Sequence, residues 1–173
     1  LESIKAKIME IIPLLLKELD QEAVTTRKFL NLVPADKFDW QPHPKSMTMK
    51  RLAVHIADLP SWIDMSINTD GINFAGAPYN PPPVSNSKDL LDHFEKSLSK
   101  GKAALENAKE EELSKKWTLS NGELVLNEMT KYEAVRHAYS QLIHHRAQLG
   151  VFLRLLDIPI PGSYGPSADE MSF

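Results

Sequence analysis

Hydrophobic residues recur at three- and four-residue steps in four stretches of the chain, which is the spacing of one apolar face on an α-helix. In the first stretch this face consists of Ile12, Leu15, Leu16, Leu19, Ala23, Thr26 and Leu30. Pro13 is expected in the first turn or at a bend, where its missing N–H costs little. Ser46 or Thr48 can cap a second helix that runs to about Asn68.

The third and fourth helices are predicted from similar patterns. The third opens near Ser85 to Ser87, and its apolar side carries Leu90, Leu91, Phe94, Leu98 and Leu105. Thr130 and Glu133 form a Thr-x-x-Glu capping box, which is a specific indication that the fourth helix begins there. This helix is predicted to run to about Leu156, before a segment rich in proline and glycine.

The connections between these helices contain few strand patterns. VPADKFDWQPHPKS and NTDGINFAGAPYNPPPVSNS are rich in proline, glycine and asparagine, and the length of the second is typical of a functional loop or of packing at a cavity mouth. In TLSNGELVLNEM the Asn-Gly pair indicates a tight turn and a small hairpin. The pattern therefore predicts an all-α fold, an antiparallel four-helix bundle with long loops, as a single domain over residues 1–173.

Composition and charge exclude several classes of protein. The chain is 42% hydrophobic and 25% charged, as ordinary globular proteins are, and its net charge of -3 argues against a general nucleic-acid binder. It has no cysteine, so it can form no disulfide, cysteine nucleophile or cysteine metal site. The apolar run IMEIIPLLLKEL is too short to span a bilayer and lacks the features of a signal peptide. We expect a cytoplasmic protein that partners neither membrane nor nucleic acid.

A polar stripe marks the fourth helix, in and around SQLIHHRAQLG at residues 140–150. With His137 at zero, His144 lies at roughly -20°, Gln148 at roughly 20°, Gln141 at roughly 40° and His145 at roughly 80° around the helix. Gln141 and His145 are one turn apart and can meet on one atom. His137 and His144 are two turns apart, roughly 10 Å, and cannot hold one ion without help. The alternative is a simple solvated face.

His55 lies on the apolar face of the second helix, in RLAVHIADLPSW. One interpretation is a core histidine bonded to a carbonyl. Pro60 is expected to kink the helix one turn after His55 and so to shape a cavity. Asp58 either orients the ring of His55 or is a surface charge. The histidines of the two helices permit a metal site between them, which in a catalytic site needs about three protein ligands and an open water position.

These residues together resemble the DinB-like (DinB/YfiT-like) family. The resemblance covers nearly the whole chain and is carried by TTRKFL in the first helix, WQPHPKSM before the second, HIADLPSW within it and HHRAQLGVFLRLLDIPIPGSYGPSADE at the end. It implies a four-helix bundle, often a homodimer. It also implies a divalent metal, usually nickel or zinc, held by three histidines.

The resemblance places the metal ligands on particular residues. His55 matches the ligand from the second helix, and His145 matches the second member of an H-x-x-x-H pair. The first member falls on Gln141, so the chain departs from the family pattern at a ligand. Gln141 can offer its amide oxygen, which is a weaker ligand for zinc or nickel than imidazole. His144 and His137 are secondary candidates, and a degenerate site that holds water is the alternative.

Two kinds of function follow from the resemblance. Relatives that are metal-dependent thiol S-transferases, isomerases or hydrolases imply an enzyme acting on a small-molecule substrate, such as a low-molecular-weight thiol. The alternative is a non-catalytic bundle with a degenerate metal site, which binds a small ligand or a partner protein. DNA binding, which only the family's name suggests, is opposed by the acidic charge.

Arg146 and the C-terminal segment are expected to have structural roles. Arg146 lies near 180° from His137, away from the proposed site, and we expect it to form an ion pair with Asp169 or Glu170. The segment PIPGSYGPSADE cannot continue the helix. It is expected either to fold back over the bundle or to help form a dimer.

Overall fold

The computed structural model describes residues 10–75 and 80–171, and in these residues four long helices surround one core with a small sheet at one end. The helices are α1 (Ile12–Asn31), α2 (Met49–Asn68), α3 (Ser87–Asn107) and α4 (Lys131–Leu155). The strands are β1 (Gly71–Asn73), β2 (Lys116–Asn121) and β3 (Leu124–Thr130). Short 3₁₀ turns lie at Ala35–Lys37 and Glu110–Ser114. The four helices predicted from the sequence are confirmed. The predicted C-terminal end of α2, the start of α3 and both ends of α4 lie within two residues of the observed ones.

Local sequence sets where the helices begin. Pro13 lies in the first turn of α1, as predicted. The side chain of Thr48 caps α2, and that of Asn86 caps α3. At α4 both bonds of the predicted capping box form between Thr130 and Glu133. α2 continues through Pro60 to its end at Asn68, so the predicted kink does not interrupt the helix.

The directions of the helices follow from ion pairs between them. Two pairs join α1 to α4 and two join α1 to α3: Glu18–Arg136, Glu22–Arg146, Asp20–Lys102 and Arg27–Glu95. Residue numbers rise together in the first two pairs, so α1 and α4 run in the same direction. In the last two pairs one number rises as the other falls, so α3 runs opposite to α1.

The prediction of an antiparallel bundle is therefore wrong for two neighbouring pairs. α2 runs opposite to α4, because His55 contacts His145 while the Lys131 ammonium donates to the carbonyl of Ile67. It follows that α2 and α3, which pack extensively on each other, run in the same direction. Parallel neighbours need a connection that returns along the bundle, which is why the connection between α2 and α3 is long.

The prediction of an all-α fold is also wrong in part, because the described chain is mostly helical but contains a three-stranded sheet. β2 and β3 form the predicted hairpin, with a two-residue turn in which Gly122 has φ +64°. β1 pairs in parallel with β2, and Gly71 lies opposite Thr118. A Cβ at Gly71 would lie 2.2 Å from the carbonyl oxygen of Thr118, so this pairing requires glycine.

The core lies between the four helices. Its largest fully buried side chains are Leu19, Leu30, Met49, Leu52, Ile56, Leu59, Ile63, Leu90, Phe94, Leu105, Tyr139 and Leu142. α2 and α3 approach closely at Gly101, where a Cβ would lie 2.3 Å from the carbonyl oxygen of Pro60. Within residues 10–75 and 80–171, no helix has the length and apolar character to cross a membrane.

Arg146 is buried, but its predicted ion-pair partners are wrong. It pairs with Glu22 of α1 at 2.6 Å, and both side chains are less than a tenth exposed. Tyr164 of the C-terminal segment donates to Glu22 at 2.6 Å and accepts from Arg146 at 3.2 Å. A guanidinium buried between helices needs a buried carboxylate, whereas Asp169 and Glu170, the predicted partners, lie near the surface beyond α4.

The C-terminal segment folds back over the bundle, which is one of its two predicted roles. Asp169 pairs with Arg154 near the end of α4, and Glu170 pairs with Lys28 of α1 at 3.2 Å. The two carboxylates predicted for Arg146 are therefore used to fasten this segment at its end. Its contribution to a dimer stays a prediction.

Candidate metal site and adjoining cavity

The structure brings His55 of α2 and His145 of α4 together between the helices. Their ring centroids are 4.5 Å apart and the ring planes cross at 78°. His145 is buried and His55 is partly buried. The two residues meet because α2 and α4 run in opposite directions, and Gln141 lies one turn before His145 on the same face of α4. We call His55, Gln141 and His145 the histidine cluster.

Both ring nitrogens of His145 are hydrogen-bonded to glutamines. Nε2 lies 2.9 Å from Oε1 of Gln141, and Nδ1 lies 2.8 Å from Oε1 of Gln148. Burial lowers the pKa of His145; the Gln148 bond raises it and the His144 charge lowers it further. A neutral imidazole has one donor and one acceptor nitrogen. One of the two glutamines must therefore turn its amide NH₂ towards the ring, since two oxygens would require the charged form.

His55 is held in a similarly apolar place. Its ring packs edge to face against Trp62, with centroids 5.6 Å apart. Burial lowers the pKa of His55, and the neighbouring His145 lowers it further, while Asp58 raises it. Both imidazoles of the cluster are thus disposed to stay neutral, which is the form in which histidine binds a metal.

Asp58 has a partner that sequence analysis did not name. Its Oδ1 is hydrogen-bonded to Nε2 of His93 on α3, and both side chains are mostly buried. Asp58 is therefore not a free surface charge, and its carboxylate joins α2 to α3. The residue that pairs with it lies on another helix, so spacing along α2 could not have indicated it.

The rest of the polar stripe lies outside the histidine cluster. His144 is exposed, although its ring centroid lies 4.9 Å from that of His145. His137 is also exposed, and it lines a cavity further along α4. Gln148 is exposed as well but bonds His145. The stripe predicted from the sequence is thus partly solvated and partly turned to the cluster.

The donor set differs from that of a complete three-histidine site. Within residues 10–75 and 80–171, no three residues of the types His, Cys, Asp and Glu are grouped so that they could hold a metal. The cluster offers two imidazoles and one amide oxygen, and the amide is a weak neutral ligand for zinc or nickel. A divalent ion held by these three residues would keep open coordination positions and would bind with lower affinity than at three imidazoles.

A cavity of about 250 Å³ adjoins the cluster, between α2, the sheet and the first half of α4. Most of its wall is apolar and is formed by Trp62, Met65, Ile72, Phe74, Trp117 and Met129. Gln141 belongs both to this wall and to the histidine cluster. We call this cavity of about 250 Å³ the tryptophan cavity. His145 also lines a second, more open hollow of about 280 Å³, together with Met47, Gln148 and Phe152.

The strand residues of this cavity were not among the predicted site residues. The hairpin was predicted, but its apolar face was not assigned to a site. Trp117 and Leu119 are two residues apart on β2, so they lie on the same face of the sheet. The alternation of Trp117 and Leu119 along β2 is the sequence feature that could have indicated an apolar face of the sheet. What could not be anticipated is that this face covers α2 and α4.

Comparison with known proteins agrees with this architecture. The model of the DinB family matches residues 5–172. The chain belongs to the DinB family. The uncharacterised protein YrdA of Bacillus subtilis strain 168 is 24% identical over 159 residues, which are 90% of this chain and 89% of YrdA.

Two solved structures are similar to most of the chain. The DinB-like protein YjoA of Bacillus subtilis has a TM-score of 0.67 at 17% identity, with 92% of this chain and 99% of that chain covered. A DinB-like protein of Bacillus cereus ATCC 10987 has a TM-score of 0.66 at 20% identity, with 86% and 94% covered. At these identities the likeness establishes the fold, and function has to be argued from the site.

Proposed function

We propose that this DinB protein is a divalent-metal-dependent enzyme of the thiol S-transferase or hydrolase type, in which His55, His145 and Gln141 hold nickel or zinc. The observation that supports the proposal is the meeting of two imidazoles from different helices at 4.5 Å, with the amide of Gln141 bonded to the second ring. Sites of this kind lie between facing helices of a bundle.

The roles of the residues follow from their chemistry. A bound divalent ion supplies a Lewis acid that lowers the pKa of a coordinated water or thiol. His55 and His145 contribute imidazole nitrogen, and Gln141 contributes amide oxygen. Because all three ligands are neutral, they leave the positive charge of the ion uncompensated, which favours activation of a nucleophile and weakens binding of the ion. The ring of Trp62 packs edge to face against that of His55 and helps to hold it in place.

The proposal is tested by removing one ligand at a time. His55→Ala should abolish stoichiometric binding of nickel or zinc, and circular dichroism should show that the helices remain. His43→Ala is the matched control, since His43 is exposed in the loop before α2. His144→Ala should also retain the metal, because its ring lies outside the cluster. Metal retained by the His55→Ala protein would exclude this ligand set.

A second candidate function is a non-catalytic ligand-binding module with a degenerate metal site. It is favoured by the two glutamines, because Gln141 and Gln148 satisfy both nitrogens of His145 without any ion. In that case the natural chain binds no nickel or zinc, whereas Gln141→His gains a tight site. Equal metal binding by the natural chain and the Gln141→His protein would count against this candidate.

A further inference from the structure

We infer that the tryptophan cavity binds an uncharged, largely apolar small molecule whose polar end faces α4. The identification of this molecule as the substrate rests on the proposed function, because Gln141 joins the cavity to the histidine cluster. Binding itself needs no metal. It follows from the size of the cavity, the chemistry of its walls and the position of its polar groups.

The size of the cavity suits one or two hydrocarbon rings. Its volume is about 250 Å³. An apolar cavity of about 150 Å³ inside a protein stays dry and binds benzene. The tryptophan cavity therefore has room for a larger apolar group than a single benzene ring.

Apart from His137, the described lining residues of the cavity have no ionisable side chain. Its apolar lining consists of aromatic rings, thioethers and aliphatic side chains, with no lysine, arginine, aspartate or glutamate among the described lining residues. Methionine side chains adapt to ligands of irregular shape. Burial of a charge without a partner is costly, so a carboxylate or an ammonium group on the ligand is strongly disfavoured. A thiol cofactor with several carboxylates is disfavoured in this cavity for the same reason.

The polar groups of the wall are concentrated on one side. His137 and Gln141 both project from α4, one turn apart, while Ser66 on α2 donates its hydroxyl to the carbonyl of Trp62. A hydroxyl or carbonyl group on the ligand would therefore find its hydrogen-bond partners at α4. This orientation places the polar end of the ligand next to Gln141 and hence beside His145.

The fluorescence of the tryptophans in the cavity wall can report this binding. Trp62 and Trp117 line the cavity, whereas Trp40 packs against Phe152 with ring centroids 5.6 Å apart. A Trp40→Phe protein has tryptophan only at the cavity. Its fluorescence should therefore respond to a non-fluorescent ligand that enters.

The experiment uses two probes of the same skeleton, 4-tert-butylcyclohexanol and 4-tert-butylcyclohexanecarboxylate, with the metal-free Trp40→Phe protein in the presence of a chelator. The alcohol is expected to give a saturable change in tryptophan fluorescence. The carboxylate is expected to bind at least tenfold more weakly. Ala134→Leu, which fills the cavity from α4, should weaken binding of the alcohol at least tenfold. Ala103→Leu, at an exposed position of α3, should leave it unchanged.

Three results would overturn the inference: no saturable response to the alcohol, equal affinity for the carboxylate, or full affinity in the Ala134→Leu protein. If Ala134→Leu fails to fold by circular dichroism, Met129→Trp takes its place, since Met129 lies on the sheet side and is only half-buried. Nickel titration of the filled variants should match that of the parent. The fluorescence titration thus tests ligand binding in the cavity, and the nickel titration tests the metal site independently of it.

Discussion

Oε1 of Gln141 lies 2.9 Å from Nε2 of His145, and Gln141 occupies the position where the family resemblance places a histidine ligand. The substitution leaves a bonded glutamine–histidine pair rather than a gap. Such a pair is stable without an ion, so an ion that binds here must compete with a hydrogen bond inside the protein. Because of this competition, we expect the natural chain to bind nickel or zinc more weakly than a site with three histidines would.

Gln141→His should raise the affinity for nickel or zinc by about tenfold or more, equivalent to about 1.4 kcal/mol of binding free energy. Imidazole is a stronger ligand for these ions than an amide oxygen. The measurement is competitive titration against a metal chelator. Gln141→Leu is the matched control and should bind more weakly than the natural chain. A Gln141→His protein with unchanged affinity would mean that residue 141 does not reach the ion.

Arg146→Met should lower the free energy of unfolding by about 3–5 kcal/mol, because it leaves the carboxylate of Glu22 buried without its cation. Arg146 and Glu22 are each less than a tenth exposed. The double variant Arg146→Met, Glu22→Leu should recover most of the loss. Urea unfolding measures both.

The matched control for this pair is Arg154→Met. Arg154 pairs with Asp169 at the surface, where solvent screens the two charges, so its loss should cost far less than the loss of Arg146. A loss of similar size for Arg154→Met and Arg146→Met would contradict the assignment of a buried ion pair to Arg146.

Alkaline titration should reveal Tyr164. The residue is 65% exposed, but its hydroxyl is withdrawn from solvent and donates to Glu22, and these two effects raise its pKa to about 12. Burial also raises the pKa of Tyr139. A tyrosine with a raised pKa in the folded state keeps its proton there. It therefore contributes stability that is present below about pH 10 and declines as the pH rises above that value.

The ultraviolet absorbance of phenolate follows this titration. Tyr164→Phe should remove a late step and Glu22→Gln should move it to lower pH. If the step that Tyr164→Phe removes lies near the ordinary pKa of tyrosine, about 10, rather than near pH 12, the bond between Tyr164 and Glu22 would be excluded.

Gly101→Ala should destabilise the protein by about 1–3 kcal/mol, although alanine is favoured over glycine within a helix by about 1 kcal/mol. The added Cβ would lie 2.3 Å from the carbonyl oxygen of Pro60, so α2 and α3 would have to separate. Ser99→Ala, at an exposed position of α3, is the control and should have little effect. A more stable Gly101→Ala protein would show that the two helices are not held this closely.

The helices could be predicted from the sequence because their determinants are local. The apolar spacing of α1 and the capping box of Thr130 and Glu133 each act within a turn or two of the chain. β1 was missed because it has only three residues and exists by pairing with β2, more than forty residues away. The directions of α3 and α4 relative to α1 were missed for a related reason, since a periodic pattern does not reveal which way a helix runs.

The part of the candidate site that could be predicted also depends on spacing within one helix. Gln141 and His145 share a helix, so their spacing alone placed them together. The family resemblance assigned His55 and His145 to one metal site, and in the structure their rings meet. That they hold a metal stays a prediction. The partners of Asp58 and Arg146 lie on other helices, and no spacing along the chain could indicate them.

The central claim is tested most directly by the metal content of the natural chain, purified untagged after expression with several divalent metals available. Elemental analysis should find about one nickel or zinc per chain, which would mean that two imidazoles and the amide of Gln141 suffice. Absence of metal, confirmed by no binding when nickel or zinc is added to the purified protein, would contradict the metal-dependent enzyme.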